Sequence, residues 1–216
     1  MIFLLTPLLV TVAVSFGNSA VFTLPPPEWS LRWYERLSNT RGLWPSILTS
    51  VQIAGLSTVI SLILGTLCAI AIVRGQFPGR EAITTFLVSP LMLPGLVVGI
   101  AMLQGFRLVG LREAWTSLLI AHVVITMPYV VRTVVALGPA FLTSGMFAFL
   151  ASMDNYPVSI FFTDAWTKTL PIQMLQYVEE RPDPTIAAIS AGLILLAAIV
   201  MIIGDRLVGL RRLADF

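Results

Sequence analysis

The chain has 216 residues, with 13 basic against 11 acidic side chains and a formal charge of +2. Hydrophobic residues make up 57% and charged residues 11%, where soluble domains carry roughly 45–50% and about 25%; the mean hydropathy is +0.91. These values exclude a soluble globular domain, a disordered chain and a disulfide scaffold, leave too little charge for a nucleic-acid binder, and point to a polytopic membrane protein.

No Asp, Glu, Lys or Arg occurs in 1–27, 42–73, 82–106, 114–131, 133–153 or 185–204. About 20 mostly apolar residues cross the ~30 Å of bilayer hydrocarbon as a helix. The pattern therefore predicts an all-α transmembrane bundle of about six spanning helices, a single membrane domain over 1–216. The lone Cys68 lies in an apolar run and has no intrachain partner for a disulfide.

The first span is expected over 1–21. Asn18-Ser19-Ala20 loosely fits a signal-peptide cleavage site, but the usual positive start is missing, which favours an uncleaved helix and leaves a natural start further upstream as an open alternative. Pro25, Pro26 and Pro27 end any helix there. Ser30 can cap a new one, and Trp33 and Tyr34 suit a headgroup layer, so a short interfacial helix is expected near 30–38. Helix two is predicted over 43–73, stopped by Arg74. The turn Gly75-Gln76-Phe77-Pro78-Gly79 leads to helix three over 83–106, with Pro90 and Pro94 in its first half. Helix four is expected over 115–137 and helix five over 140–162, interrupted by Asp154-Asn155-Tyr156-Pro157. A polar segment, 163–184, precedes helix six over 185–205.

Arginine density suggests the topology. Placing the 74–81 turn and the basic 206–216 tail in the cytoplasm puts both termini inside, as six spans require.

No enzyme signature is present: there is no His-Glu-x-x-His, Gly-x-Ser-x-Gly or Gly-x-x-x-x-Gly-Lys, and no Cys/His cluster for a metal. No cofactor is implied. His122, the single histidine, sits inside an apolar helix, where it reads either as a packed residue bonded to a neighbouring helix or as part of a polar path. An intramembrane enzyme pairing it with Ser117 or Ser144 lacks any nucleophile spacing. Asp154 would lie about 21 Å along helix five, in the outer third of the membrane. It either lines a translocation path together with Asn155 and Tyr156, or it caps a turn after a helix that ends at Met153. The prolines of helix three, Pro94 above all, free backbone carbonyls and make either a hinge or a static kink. Gly95 with Gly99, and Ala188 with Gly192, have the small-x-x-x-small spacing of close helix contacts.

Several ordered pieces carry a resemblance. They are Phe3-Leu-Leu-Thr-Pro-Leu-Leu9 with Ser15-Phe16, Ser30-Leu-Arg-Trp-Tyr34, Phe77-Pro-Gly-Arg80 and Pro90-Leu-Met-Leu-Pro-Gly-Leu-Val-Val-Gly-Ile100. Next come Ala121-His122 with Met127-Pro-Tyr-Val-Val-Arg132, Ala148-Phe-Leu-Ala-Ser-Met-Asp-Asn155, Thr169-Leu-Pro-Ile172 and Ala187-Ala-Ile-Ser190. In this order the chain resembles the inner-membrane permease subunits of ATP-binding cassette importers, in the spermidine/putrescine branch. The resemblance implies a bacterial inner-membrane protein of six helices that performs no chemistry. It implies import of a small solute, polyamine-like in this branch, delivered by an extracytoplasmic binding protein. It also implies a second permease subunit and a separate cytoplasmic ATPase. Family members carry a cytoplasmic loop with a Glu-Ala-Ala motif between helices four and five, which docks the ATPase. Here Arg132-Thr-Val-Val-Ala-Leu-Gly-Pro-Ala-Phe141 runs straight on without it. The chain is therefore not expected to couple to an ATPase by itself, and the alternative to an active permease is a coupling-defective or truncated paralogue.

Overall fold

The computed structural model describes residues 2–21, 23–137, 141–181 and 183–208. Among these the regular structure is helical apart from one isolated antiparallel bridge, Gly17 with Trp29. The chain divides into two compact units, Met1–Pro45 with Gln173–Ile203 and Ser46–Ile172 with Gly204–Phe216.

The first unit opens with α1 (Ile2–Ser15), which stops short of the 21 residues expected. At a rise of 1.5 Å per residue it is about 21 Å long. It ends because the chain folds back: the Asn18 amide donates to the Glu28 carbonyl at 3.0 Å and the Ser30 amide to the Phe16 carbonyl at 2.6 Å. The interfacial helix expected near 30–38 is α2 (Arg32–Ser38), and the Ser30 hydroxyl accepts the Arg32 amide at 3.1 Å just ahead of it. The assignment of Trp33 to a headgroup layer is corrected. Trp33 is fully buried and its indole N–H donates to the Gly17 carbonyl at 2.6 Å, while the Tyr34 hydroxyl bonds the Ser15 hydroxyl at 2.8 Å. A buried indole needs a partner for its N–H, and the folded-back Gly17 supplies it.

Gly42, at φ +81°, turns the chain into α3 (Leu43–Arg74). The polar segment 163–184 contains a helix the hydropathy pattern does not announce, α9 (Leu170–Glu180). Leu170, Ile172 and Tyr177 are its buried anchors, too few among glutamines and glutamates to register as an apolar run. Then α10 (Thr185–Val208) begins where the Asp183 carboxylate accepts the Thr185 amide at 2.9 Å, an acidic partner at the positive end of the helix.

The second unit holds most of α3 together with α4 (Arg80–Val88), a 3₁₀ turn (Ser89–Leu91), α5 (Gly95–Leu108), α6 (Ala114–Leu137), α7 (Phe141–Met153) and the one-turn α8 (Tyr156–Ser159). Helix three of the sequence reading is thus broken: the segments either side of 92–94 meet at 109°. Pro94 has no amide hydrogen to donate, and its extended ψ of 128° caps α5 instead of continuing the preceding helix. Helix five is broken as well. It ends at Met153, and Asn155 opens α8 by accepting the Val158 amide at 3.1 Å. Among the described residues three helices can cross a membrane by length and composition, α3, α6 and α10, or four if the bent pair counts as one span; α1 and α7 are shorter apolar helices.

The long α3 is amphipathic in an inverted sense. Leu48, Val51, Leu56, Val59, Ile63, Leu67, Ile70 and Val73 are exposed, whereas Ser46, Ser50, Ser57 and Ser61 are buried. In lipid the apolar stripe is the surface and small polar residues make the contacts between helices. Ser50 accepts the Leu170 amide at 2.7 Å. Against this face pack two apolar clusters. One joins Ile53, Leu118, Ala121, Ile125, Val158 and Phe162, and the other joins Ala69, Val130, Val134 and Ala148. Gly65 permits the approach of α3 to α6, since a Cβ there would stand 2.9 Å from Val130 Cβ.

Candidate functional site

The site lies in the second unit, where both breaks come together. A cavity of about 180 Å³ is lined by Pro90, Leu93, Gly95, Tyr129, Asn155 and Val158, among others. The break before α5 supplies Pro90 through Gly95, α6 supplies Tyr129, and the break between α7 and α8 supplies Asn155. Non-helical backbone at membrane depth is tolerated where it is buried in protein or lines a cavity, and the two breaks meet that condition here. Interrupted helices of this kind present carbonyl oxygens that suit cations.

Behind Asn155 runs a continuous polar wire. The Ser159 hydroxyl donates to the Asn155 carbonyl. Its proton is thereby used, so at 2.9 Å from His122 Nε2 it can only accept. A neutral imidazole then carries its hydrogen on Nε2 and accepts at Nδ1 from the Ser152 hydroxyl, 2.6 Å away. Ser57 in turn donates to Ser152 at 3.2 Å. One side, the Thr126 hydroxyl, donates to the His122 carbonyl at 2.7 Å and bonds Ser61 at 2.8 Å. His122, Ser57, Ser61, Thr126, Ser152 and Ser159 are all buried. The wire ties α3, α6, α7 and α8 together and ends at the cavity wall.

Among the residues singled out by sequence, Asn155 and Gly95 line the cavity and Pro94 sits at its edge as the cap of α5. Asp154 is exposed just after α7; its carbonyl accepts the Tyr156 amide at 2.9 Å, and the cap of the next turn is Asn155 rather than Asp154. His122 is not among the cavity-lining residues: both its ring nitrogens are engaged in the packed interior. Gly95 and Gly99 are points of close approach, where an added Cβ would meet Pro157 Cβ at 2.8 Å and the Phe161 ring at 2.5 Å. Ala188 is fully buried, whereas Gly192 is exposed and a Cβ there would meet nothing within 4 Å. The sequence reading missed Tyr129 and the buried serines. The serines did leave a signal: 46, 50, 57 and 61 fall on one helical face.

A larger cavity, about 520 Å³, opens at the C-terminal end of α5 between Arg107, Arg112, Ser117, Phe161 and Asp164. The Asp164 carboxyl is held below its usual range by the backbone amides of Thr167 and Trp166. Glu113 is likewise lowered, first by the Thr116 side chain and then by the Thr116 and Trp115 amides at the start of α6. Among the described residues no group of three or more His, Cys, Asp or Glu is placed to hold a metal ion.

No family model matches the chain. Individual relatives do. The chain is 28% identical to the spermidine/putrescine transport system permease protein PotC of Haemophilus influenzae, over 94% of this chain and 91% of that one. It is 25% identical to the putrescine transport system permease protein PotI of Escherichia coli K12, over 87% and 80%. It is 22% identical to the sulfoquinovosyl glycerol transport system permease protein SmoH of Agrobacterium fabrum, over 94% and 86%. The resemblance to the spermidine/putrescine-type importer permeases therefore holds over nearly the whole chain. These relatives are transport permease subunits by name, and the apolar helices of this chain are long enough for a multi-pass membrane protein. The PotC alignment extends over 234 positions yet uses 94% of 216 residues, about 203, so about thirty of its positions have no residue here.

Proposed function

We propose that the chain is the membrane-embedded permease subunit of an ATP-driven importer whose cargo is a small polyamine-like cation handed over by an extracytoplasmic binding protein. The observation that carries this reading is similarity to spermidine/putrescine permeases along almost the entire length. The cavity suits it: the Asn155 and Tyr129 side chains and the broken backbone around Leu93 offer oxygen and π-face partners to an amine, and the exposed Asp154 supplies an adjacent negative charge. The path residues are Asp154, Asn155, Tyr156 and Pro94. His122 holds the wall in place through Ser152 and Ser159. Both termini face the cytoplasm, and the cavity beside Arg107 and Asp164 opens on the outer side.

The chain does not dock an ATPase by itself. α6 continues to Leu137 and α7 starts at Phe141; Gly138-Pro139, where the docking loop would insert, lies outside the described residues. The thirty-position shortfall against PotC agrees in size with a missing loop. ATP-driven switching reaches this subunit through a second permease that carries the docking element. Affinity purification tests this: the chain alone should retain no ATPase, and the chain with its partner permease should retain it. Stoichiometric ATPase on the chain alone, with solute-stimulated hydrolysis, would contradict the docking part of the reading.

A further inference from the structure

The first unit holds a polar cavity of about 360 Å³ that the transport reading does not use, lined by Arg36, Asn39, Arg41, Tyr177, Glu180 and Arg181, among others. We propose that it binds the phosphodiester headgroup of an anionic phospholipid, with Arg41 and Arg181 as the clamp.

The charge balance comes first. Arg36 pairs with Asp183 at 3.3 Å and lies over the Trp33 ring at 5.9 Å. Asp183 is fully occupied: besides Arg36 it accepts the Tyr177 hydroxyl at 3.1 Å on both oxygens and the Thr185 amide at 2.9 Å. That leaves two guanidinium groups, Arg41 and Arg181, against one carboxylate, Glu180. Among the described residues neither arginine makes an ion pair. Guanidinium forks match phosphate oxygens two at a time, and the neighbouring Asn39 amide adds a neutral donor.

Depth selects the source of the phosphate. Arg41 stands two residues before α3 and Arg181 four before α10, and both helices are apolar and long enough to span. Both charges therefore lie at the boundary between hydrocarbon and water, the level of lipid phosphates. Beside them Trp44 is 60% exposed while its indole N–H donates to the Ser38 carbonyl at 3.1 Å, the posture of an interfacial aromatic. A cavity of this size also exceeds what inorganic phosphate alone would fill. The inference requires these helices to meet lipid and is independent of the cargo.

The test uses the full chain, purified in detergent, delipidated and titrated by native mass spectrometry with dioctanoyl phosphatidylglycerol, dioctanoyl phosphatidylcholine or inorganic phosphate. Phosphatidylglycerol should bind about tenfold or more tightly than phosphatidylcholine, and inorganic phosphate should not compete. Arg41→Gln/Arg181→Gln should abolish that preference, Arg41→Lys/Arg181→Lys should keep part of it, and Arg74→Gln/Arg80→Gln should leave it unchanged. Equal retention of phosphatidylglycerol by the Gln variant, or displacement by inorganic phosphate at similar concentration, would overturn the proposal.

Discussion

His122 illustrates how a residue's environment decides its role. An imidazole inside an apolar helix is compatible with transport chemistry or with packing; in the structure hydroxyl groups from two other helices engage both nitrogens, which supports packing. The orientation of the wire follows from Ser159, whose proton is spent on a carbonyl that cannot donate. His122→Ala should therefore leave the buried Ser152 hydroxyl without its acceptor and open a void, lowering stability by about 1–3 kcal/mol. Ser57→Ala, at the far end of the wire, removes one interhelical bond and should cost about 0.6 kcal/mol, the average for such bonds in membranes. Thermal unfolding in detergent measures both, and equal effects would contradict the proposed wiring. The packed reading of His122 was one of two the sequence offered, and the serines were legible only as positions on one helical face. Serine inside an apolar helix barely moves a hydropathy profile, and only packing reveals that Ser57 and Ser61 face inward. Trp33 was misread for the related reason that an indole is equally at home in a headgroup layer and in a core that offers a carbonyl.

At the scale of elements, the long spans were legible because hydrocarbon demands unbroken apolar runs: α3, α6 and α10 fall close to their expected bounds. Interruptions were legible as residues but not as geometry. Pro90 and Pro94 announce a disturbance, yet the 109° bend depends on what packs around it. The close approach of α5 to the α8 region gives a direct test. Gly99→Ala should force the Phe161 ring aside and destabilise by about 1–3 kcal/mol, whereas Gly192→Ala, in open space, should be nearly neutral. A second test concerns the start of α6. Because the folded state lowers the Glu113 pKa, its contribution is present above the ordinary glutamate value of about 4.3 and is lost as pH falls through the lowered folded value. Amide exchange over 115–117, corrected for intrinsic rates, should accelerate in that acid range, and Glu113→Gln should remove the dependence. α9 escaped notice because its few buried anchors are diluted by glutamines.

For the molecule as a whole, ordered short motifs carried more than composition did. Composition established a membrane protein; the succession of motifs pointed to an importer permease, and relatives matching nearly the full length support it. Of the cavity lining, Asn155 was named from sequence as a path candidate and Gly95 only as a helix contact, while Tyr129 reached the cavity only through the packing of α6 against the two breaks. On the proposed reading, the shortfall against PotC separates lining a path from docking an ATPase, and the second task falls to a partner permease. The most direct measurement is uptake of labelled spermidine by cells lacking their own polyamine transport and expressing this chain with its partner permease, ATPase and binding protein. Saturable uptake that vanishes when this chain is omitted is the predicted result. No uptake with the complete set, or uptake unchanged without this chain, would contradict the account.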